Sequence, residues 1–150
     1  MQPELSNYSD LIEKQLKPKA RKDLIEKLSE FNIIPNSMID ISDGLASDLI
    51  HLSVQSNLGV KIYEEKLPIL KSTILTANEL NLNPTTCALN GGEDYELLFT
   101  INQKHYEKLK KDIDFTIIGF VNDKSEGNNF IAKDGSCHKL TAQGWDAVKE

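Results

Sequence analysis

The sequence predicts an α/β or α+β fold built on a mixed β-sheet, and three observations carry that prediction. Segments with the three-and-four spacing of an amphipathic helix alternate with short apolar runs of strand length. Asp134-Gly135 lies between Phe130–Ala132 and His138–Leu140, the pattern of a hairpin, which argues against a purely parallel sheet. Hydrophobic residues make up 39% of 150 and charged residues 27%, the balance of a folded chain and not of a disordered one. One domain of this size hides ~70% of the surface its unfolded chain exposes, enough for a real core.

The elements follow in order. The first ten residues are polar and are expected to fray. Asp10 to Leu16 fits a short helical turn, and Pro18 suits the first turn of the next helix. From Lys19 to Phe31, Ala20, Leu24, Ile25, Leu28 and Phe31 fall on one helical face, which Asn32 and Pro35 end. Ser37 to Ile41 reads as a strand, broken by Ser42-Asp43-Gly44. Leu45, Leu49, Leu52 and Val54 restore helical spacing as far as Gln55, with Asn57 and Gly59 as stop residues. Val60 to Tyr63 alternates as a strand does. Ile69 to Leu80 is a helix, Pro84 to Leu89 a short helix or turn, and Tyr95 to Ile101 a strong strand. Gln103 to Lys111 is a charged helix and Phe115 to Val121 a strand leading to the hairpin.

The net charge of −6 disfavours unspecific nucleic-acid binding. It is compatible with a phosphorylated ligand, because carboxylates hold Mg²⁺ and Mg²⁺ holds phosphate. Cys87 and Cys137 lack metal-ligand spacing and read as reduced thiols. No apolar run approaches the ~18 residues of a membrane helix, and the first residues have no apolar signal-peptide core. A cytoplasmic protein is expected. His51, His105 and His138 have no ligand spacing, and Lys104, Lys108, Lys110 and Lys111 read as a solvated helix face.

Two strings carry chemistry. Residues 38–49 read Met-Ile-Asp-Ile-Ser-Asp-Gly-Leu-Ala-Ser-Asp-Leu. An apolar strand delivers Asp40, Ser42 and Asp43 to its end, and Gly44 turns the chain into a helix whose N-terminal N–H groups face any ligand there. Two carboxylates and a hydroxyl so close together suit a hard, oxygen-ligated cation such as Mg²⁺. The plain alternative is that Ser42 or Asp43 caps the helix and Asp40 is solvated, although an acid inside an apolar strand asks for a partner. Asp48 reads as an exposed helix residue or as a partner behind the site. Residues 89–100 read Leu-Asn-Gly-Gly-Glu-Asp-Tyr-Glu-Leu-Leu-Phe-Thr. Two glycines allow close ligand approach, and Glu93, Asp94 and Glu96 crowd charge beside them. By itself this is a ligand loop, a metal loop or a tight turn with solvated acids. It is neither of the common glycine-rich phosphate loops.

Together the two strings resemble the signatures of the C-terminal domain of thiamine-monophosphate kinases, in the right order. Gly144-Trp145-Asp146 resembles that family's terminal element, and the resemblance runs over about residues 16–146. It implies a sheet of about four to six strands with helices packed mainly on one face, as in the aminoimidazole ribonucleotide synthetase superfamily. The implied activity is transfer of the γ-phosphoryl group of ATP to thiamine monophosphate, giving thiamine diphosphate, with charge neutralised by Mg²⁺. By position Asp40 and Asp43 resemble metal ligands, Ser42 an ATP contact, and Glu93 and Trp145 thiamine-phosphate contacts. A carboxylate can accept from an aminopyrimidine, and an indole can stack on a cationic heterocycle. Trp145 is equally a candidate core anchor.

The resemblance divides the chain into a polar lead, 1–15, and a C-terminal domain, 16–150. It implies a separate N-terminal domain that supplies most of the nucleotide site and the interface of a homodimer, and it implies no kinase activity for these 150 residues alone. Two alternatives stand beside it: a related ATP-dependent synthetase domain, and a non-catalytic binding module that keeps the fold. The Gly-Gly-Glu-Asp-Tyr-Glu string weighs against the first. Asp40, Ser42, Asp43, Glu93 and Trp145 occurring together weigh against the second.

Overall fold

A computed structural model describes residues 8–111 and 115–142 of the chain. Helices α1 (Ser9–Leu16) and α2 (Lys22–Glu30) precede strand β1 (Ser37–Asp40), helix α3 (Leu45–Ser56) and strand β2 (Gly59–Tyr63). Helices α4 (Lys71–Glu79) and α5 (Pro84–Asn90) lead to β3 (Leu97–Thr100), and a short helix α6 (Tyr106–Leu109) to β4 (Gly119–Asn122), β5 (Asn128–Ile131) and β6 (Cys137–Lys139).

The six strands of the described residues divide between two sheets. β1 and β3 form an antiparallel ribbon, with Ser37 opposite Thr100 and Asp40 opposite Leu97. The other four lie in the order β4-β2-β5-β6. This sheet is mixed as expected: β2 runs antiparallel to β4 and parallel to β5, and β5 and β6 form the hairpin.

Two hydrophobic clusters hold the fold. Leu45, Ala46 and Leu49 of α3 pack with Val60 and Ile62 of β2, Leu67 and Leu140. Leu24 and Leu28 of α2 pack with Ile33 and Leu109, beneath the ribbon residues Met38, Leu97 and Phe99. Each buried Leu, Val or Ile among them contributes ~1.5–3 kcal/mol by leaving water. α3 thus stands on the four-stranded sheet at the end of β1 that carries the first string.

Local chemistry explains the boundaries. Asn57 ends α3 with φ 56°, the left-handed cap that asparagine tolerates. Asn83 starts α5 by accepting the Thr86 N–H, with Pro84 in the first turn. Several expectations need correction. Ser9, expected to fray with the first ten residues, opens α1, which runs on through the helical turn expected from Asp10 to Leu16. Pro18 lies in the loop before α2, which starts at Lys22. The strand expected from Tyr95 starts at Leu97, because Tyr95 itself has a positive φ of 52°. The strand expected from Phe115 starts only at Gly119, and residues 103–111 form a 3₁₀ turn followed by one turn of α-helix. Cys87 and Cys137 are free thiols. Among the described residues no helix is long and apolar enough to cross a membrane.

Candidate functional site

The antiparallel β1–β3 register brings the two strings into contact. Beyond the last pair, Asp40 and Leu97, the chains stay bonded through loop backbone. Ile41 N–H donates to Glu96 O at 2.9 Å, Tyr95 N–H to Ile41 O at 2.9 Å and Glu93 N–H to Ser42 O at 2.8 Å. The glycines make this approach possible. A Cβ on Gly92 would lie 2.5 Å from Ser42 O. Gly44 has φ +109°, and a Cβ there would press on the backbone of Leu89 and Asn90 at 3.1 Å. The conformation is taut elsewhere too: Glu93 and Tyr95 hold φ values of 63° and 52° without being glycine. Such left-handed residues cost ~1–3 kcal/mol each and cluster at ligand-binding loops.

Asp40 and Asp43 are both exposed, and Ser42 between them is half-buried. Asp40 is therefore not the buried charge that its apolar strand suggested. Its position as the last strand residue lets the carboxylate reach solvent. Among the described residues no three His, Cys, Asp or Glu side chains converge on a possible metal position. Asp40 and Asp43 carry carboxylate oxygens of the kind a hard cation takes, and water or phosphate oxygens commonly complete such a shell.

Asp48 is 1% exposed, which overturns the reading of an exposed helix residue and leaves that of a partner behind the site. Its Oδ2 accepts the Ser42 N–H at 3.0 Å and the Asp43 N–H at 3.3 Å. Burial pushes its pKa up, the two N–H groups pull it back, Asp43 adds to the rise and His51 opposes it. The sequence held the signal: Asp48 is three residues after Leu45 and four before Leu52, on the apolar stripe of α3.

The acidic loop is partly engaged from the N-terminal side. Gln15 of α1 donates its amide to the exposed Glu93 carboxylate. Arg21 bonds Asp23 and reaches Glu96 Oε2 at 2.7 Å, and those partners raise its already high pKa. Crowding by protein pushes the Asp94 pKa up even though its side chain retains solvent access. Nearby Lys14 opposes the rise and Glu96 adds to it. Gln15 had no motif to announce it. Trp145, with Gly144 and Asp146, lies outside the described residues.

The described chain is therefore an α/β domain in which an Asp-x-Ser-Asp-Gly turn is locked by backbone hydrogen bonds to a Gly-Gly-Glu-Asp loop. No family model matches the chain. It is 40% identical over 139 residues to thiamine-monophosphate kinase of Pyrococcus abyssi, a match covering 91% of this chain and 41% of that protein. It superposes on the solved structure of AaThiL complexed with AMPPCP and TMP with a TM-score of 0.76 at 33% identity, covering 99% of this chain and 43% of that one. The hydrogenase maturation protein HypE of E. coli gives a TM-score of 0.66 at 18% identity, over 85% of this chain and 41% of that one, which shows a shared fold alone. The chain is a homologue of the thiamine-monophosphate kinases, consistent with their C-terminal domain, and spans about two fifths of the length of the relatives it matches.

Proposed function

We propose that this chain is the substrate- and metal-binding C-terminal part of an ATP-dependent kinase that converts thiamine monophosphate to thiamine diphosphate. The observation that carries the reading is the backbone lock between Ser42 O and Glu93 N–H, which places the acids of the first string beside the acidic loop of the second. One side then suits a metal–phosphate group and the other a cationic heterocycle.

Asp40 and Asp43 would hold Mg²⁺ through carboxylate oxygens, and Ser42 would contact ATP. Mg²⁺, when bound, supplies neutralisation of phosphate charge during transfer. Glu93 projects from a fixed backbone and can accept from an aminopyrimidine or offset a thiazolium charge. Trp145 would stack on the same ring. Gln15 occupies the Glu93 carboxylate in this conformation and would exchange for ligand. The remaining length of the relatives would supply further metal and nucleotide contacts and the interface of a homodimer, in a cytoplasmic enzyme.

The test is a titration with thiamine monophosphate, with and without Mg²⁺ and ATP, followed by fluorescence. Trp145 is the one tryptophan, so the signal has one source. A saturable change that Glu93→Ala abolishes is the expected result. A longer protein containing this chain that gives no saturable change either would refute the substrate assignment.

A further inference from the structure

We propose that Asp48 is a positioning residue: it fastens the Ser42–Asp43 peptide so that this turn and the Glu93 loop present their side chains as one unit. The inference rests on the reading of Ser42, Asp43 and Glu93 as ligand contacts.

The argument starts from where the Asp48 hydrogen bonds go. α3 begins after Gly44, and no side chain caps its first amides. An acid in the first turn normally serves those amides or the helix dipole. Asp48 instead reaches back past the cap to Ser42 N–H and Asp43 N–H, which precede the helix. Its own N–H is the one that continues the helix, donating to Gly44 O at 3.0 Å.

The consequence is a peptide held on both edges. Ser42 donates its N–H to Asp48 and accepts the Glu93 N–H on its carbonyl. Asp43 donates its N–H to Asp48 while its side chain stays exposed. With both amides turned inward, the acidic side chain must leave the turn outward. The Glu93 loop hangs from the same peptide through Ser42 O. A carboxylate at 1% exposure is a costly way to close a turn, because no ion pair offsets it among the described residues. What it supplies is one oxygen shared by two amides. Serine is too short to span that gap. Asparagine can offer the same oxygen.

The test compares the full chain with Asp48→Asn and Asp48→Ala, using backbone amide exchange by NMR and Mn²⁺ binding by electron paramagnetic resonance. In Asp48→Ala, exchange at Ser42, Asp43 and Glu93 should accelerate at least about tenfold, the scale of losing a charged acceptor. Exchange at Ile62 in β2 should stay within about twofold. Mn²⁺ affinity should fall about tenfold or more. Asp48→Asn should restore both readouts to within about threefold of wild type. Should Asp48→Ala not fold, Asp48→Ser, which keeps a small polar side chain on the helix, takes its place. Unchanged exchange at the three amides would overturn the proposal. So would acceleration shared equally by Ile62, or failure of Asp48→Asn to rescue. Failure of the wild-type chain to bind Mn²⁺ would overturn the metal reading of Asp40 and Asp43, and the exchange data would still decide whether Asp48 fastens the turn.

Discussion

Adding one methyl group at Gly92 should push the two strings apart. The Cβ of Gly92→Ala would sit 2.5 Å from Ser42 O, 3.5 Å from Ser42 C and 3.6 Å from Asp43 C. The obstacle is backbone and not a flexible side chain. It is also pinned, since Asp48 holds the N–H on either side of that carbonyl. Relief requires the Glu93 loop to lift, which breaks the Glu93 N–H bond to Ser42 O. That loss is worth about 1 kcal/mol, and overpacking adds about 1–3 kcal/mol. The sum, about 2–4 kcal/mol, is a large share of the ~5–15 kcal/mol that stabilises a typical domain. Urea unfolding followed by far-UV circular dichroism measures it: with a slope of about 2 kcal/mol/M, the midpoint should fall by about 1–2 M. Gly135→Ala is the control. Gly135 has φ +83° but nothing within 4 Å of a built Cβ, so only the backbone cost of about 1–2 kcal/mol applies. A Gly92→Ala midpoint within about 0.3 M of wild type would refute the interlocked geometry.

Other expectations follow from the same contacts. Arg21→Ala should cost about 0.5–1.5 kcal/mol, because Asp23 is largely exposed and Glu96 half-buried, and the difference should shrink at 1 M salt in urea titrations. Gln15→Ala should leave stability within about 0.5 kcal/mol while tightening thiamine monophosphate binding, because it releases the Glu93 carboxylate; weaker binding in the Trp145 titration would make Gln15 part of the binding site. Glu64 accepts the Thr85 hydroxyl at 2.7 Å and the Lys133 N–H at 2.9 Å, and these hold its pKa below the usual 4.5. Its contribution is therefore fully present above pH 4.5 and lost as pH falls through the folded value. Thermal melts of Glu64→Gln between pH 3 and 7 should show less acid destabilisation than wild type.

Much of this molecule was legible from local pattern. The helical spacing of Leu45, Leu49 and Leu52 and the alternation of Val60 to Tyr63 report which faces are buried, and burial is what sets those periods. Asp134-Gly135 announced its hairpin because the turn chemistry lies within two residues. Where expectation failed, long-range contact had overruled local preference. Tyr95 has strand propensity, yet its N–H is taken by Ile41 O while its φ is positive. Of the two readings of Asp48, an exposed helix residue or a partner behind the site, only the second agrees with its burial and its bonds to Ser42 and Asp43, and its place on the apolar stripe marked it as buried.

The sequence by itself determined the order of most helices and strands, the β5–β6 hairpin and the identity of the acidic strings, because each depends on residues a few positions apart. Only the tertiary structure decided that the six strands of the described residues split into a ribbon and a four-stranded sheet, that residues 41–42 and 93–96 share hydrogen bonds, and that Asp48, Gln15 and Arg21 attend them. Those pairings join backbone and side chains separated by as many as 78 positions. Backbone N–H and C=O groups are the same in every residue, so which of them meet is settled by how the whole chain packs and not by any one residue's side chain.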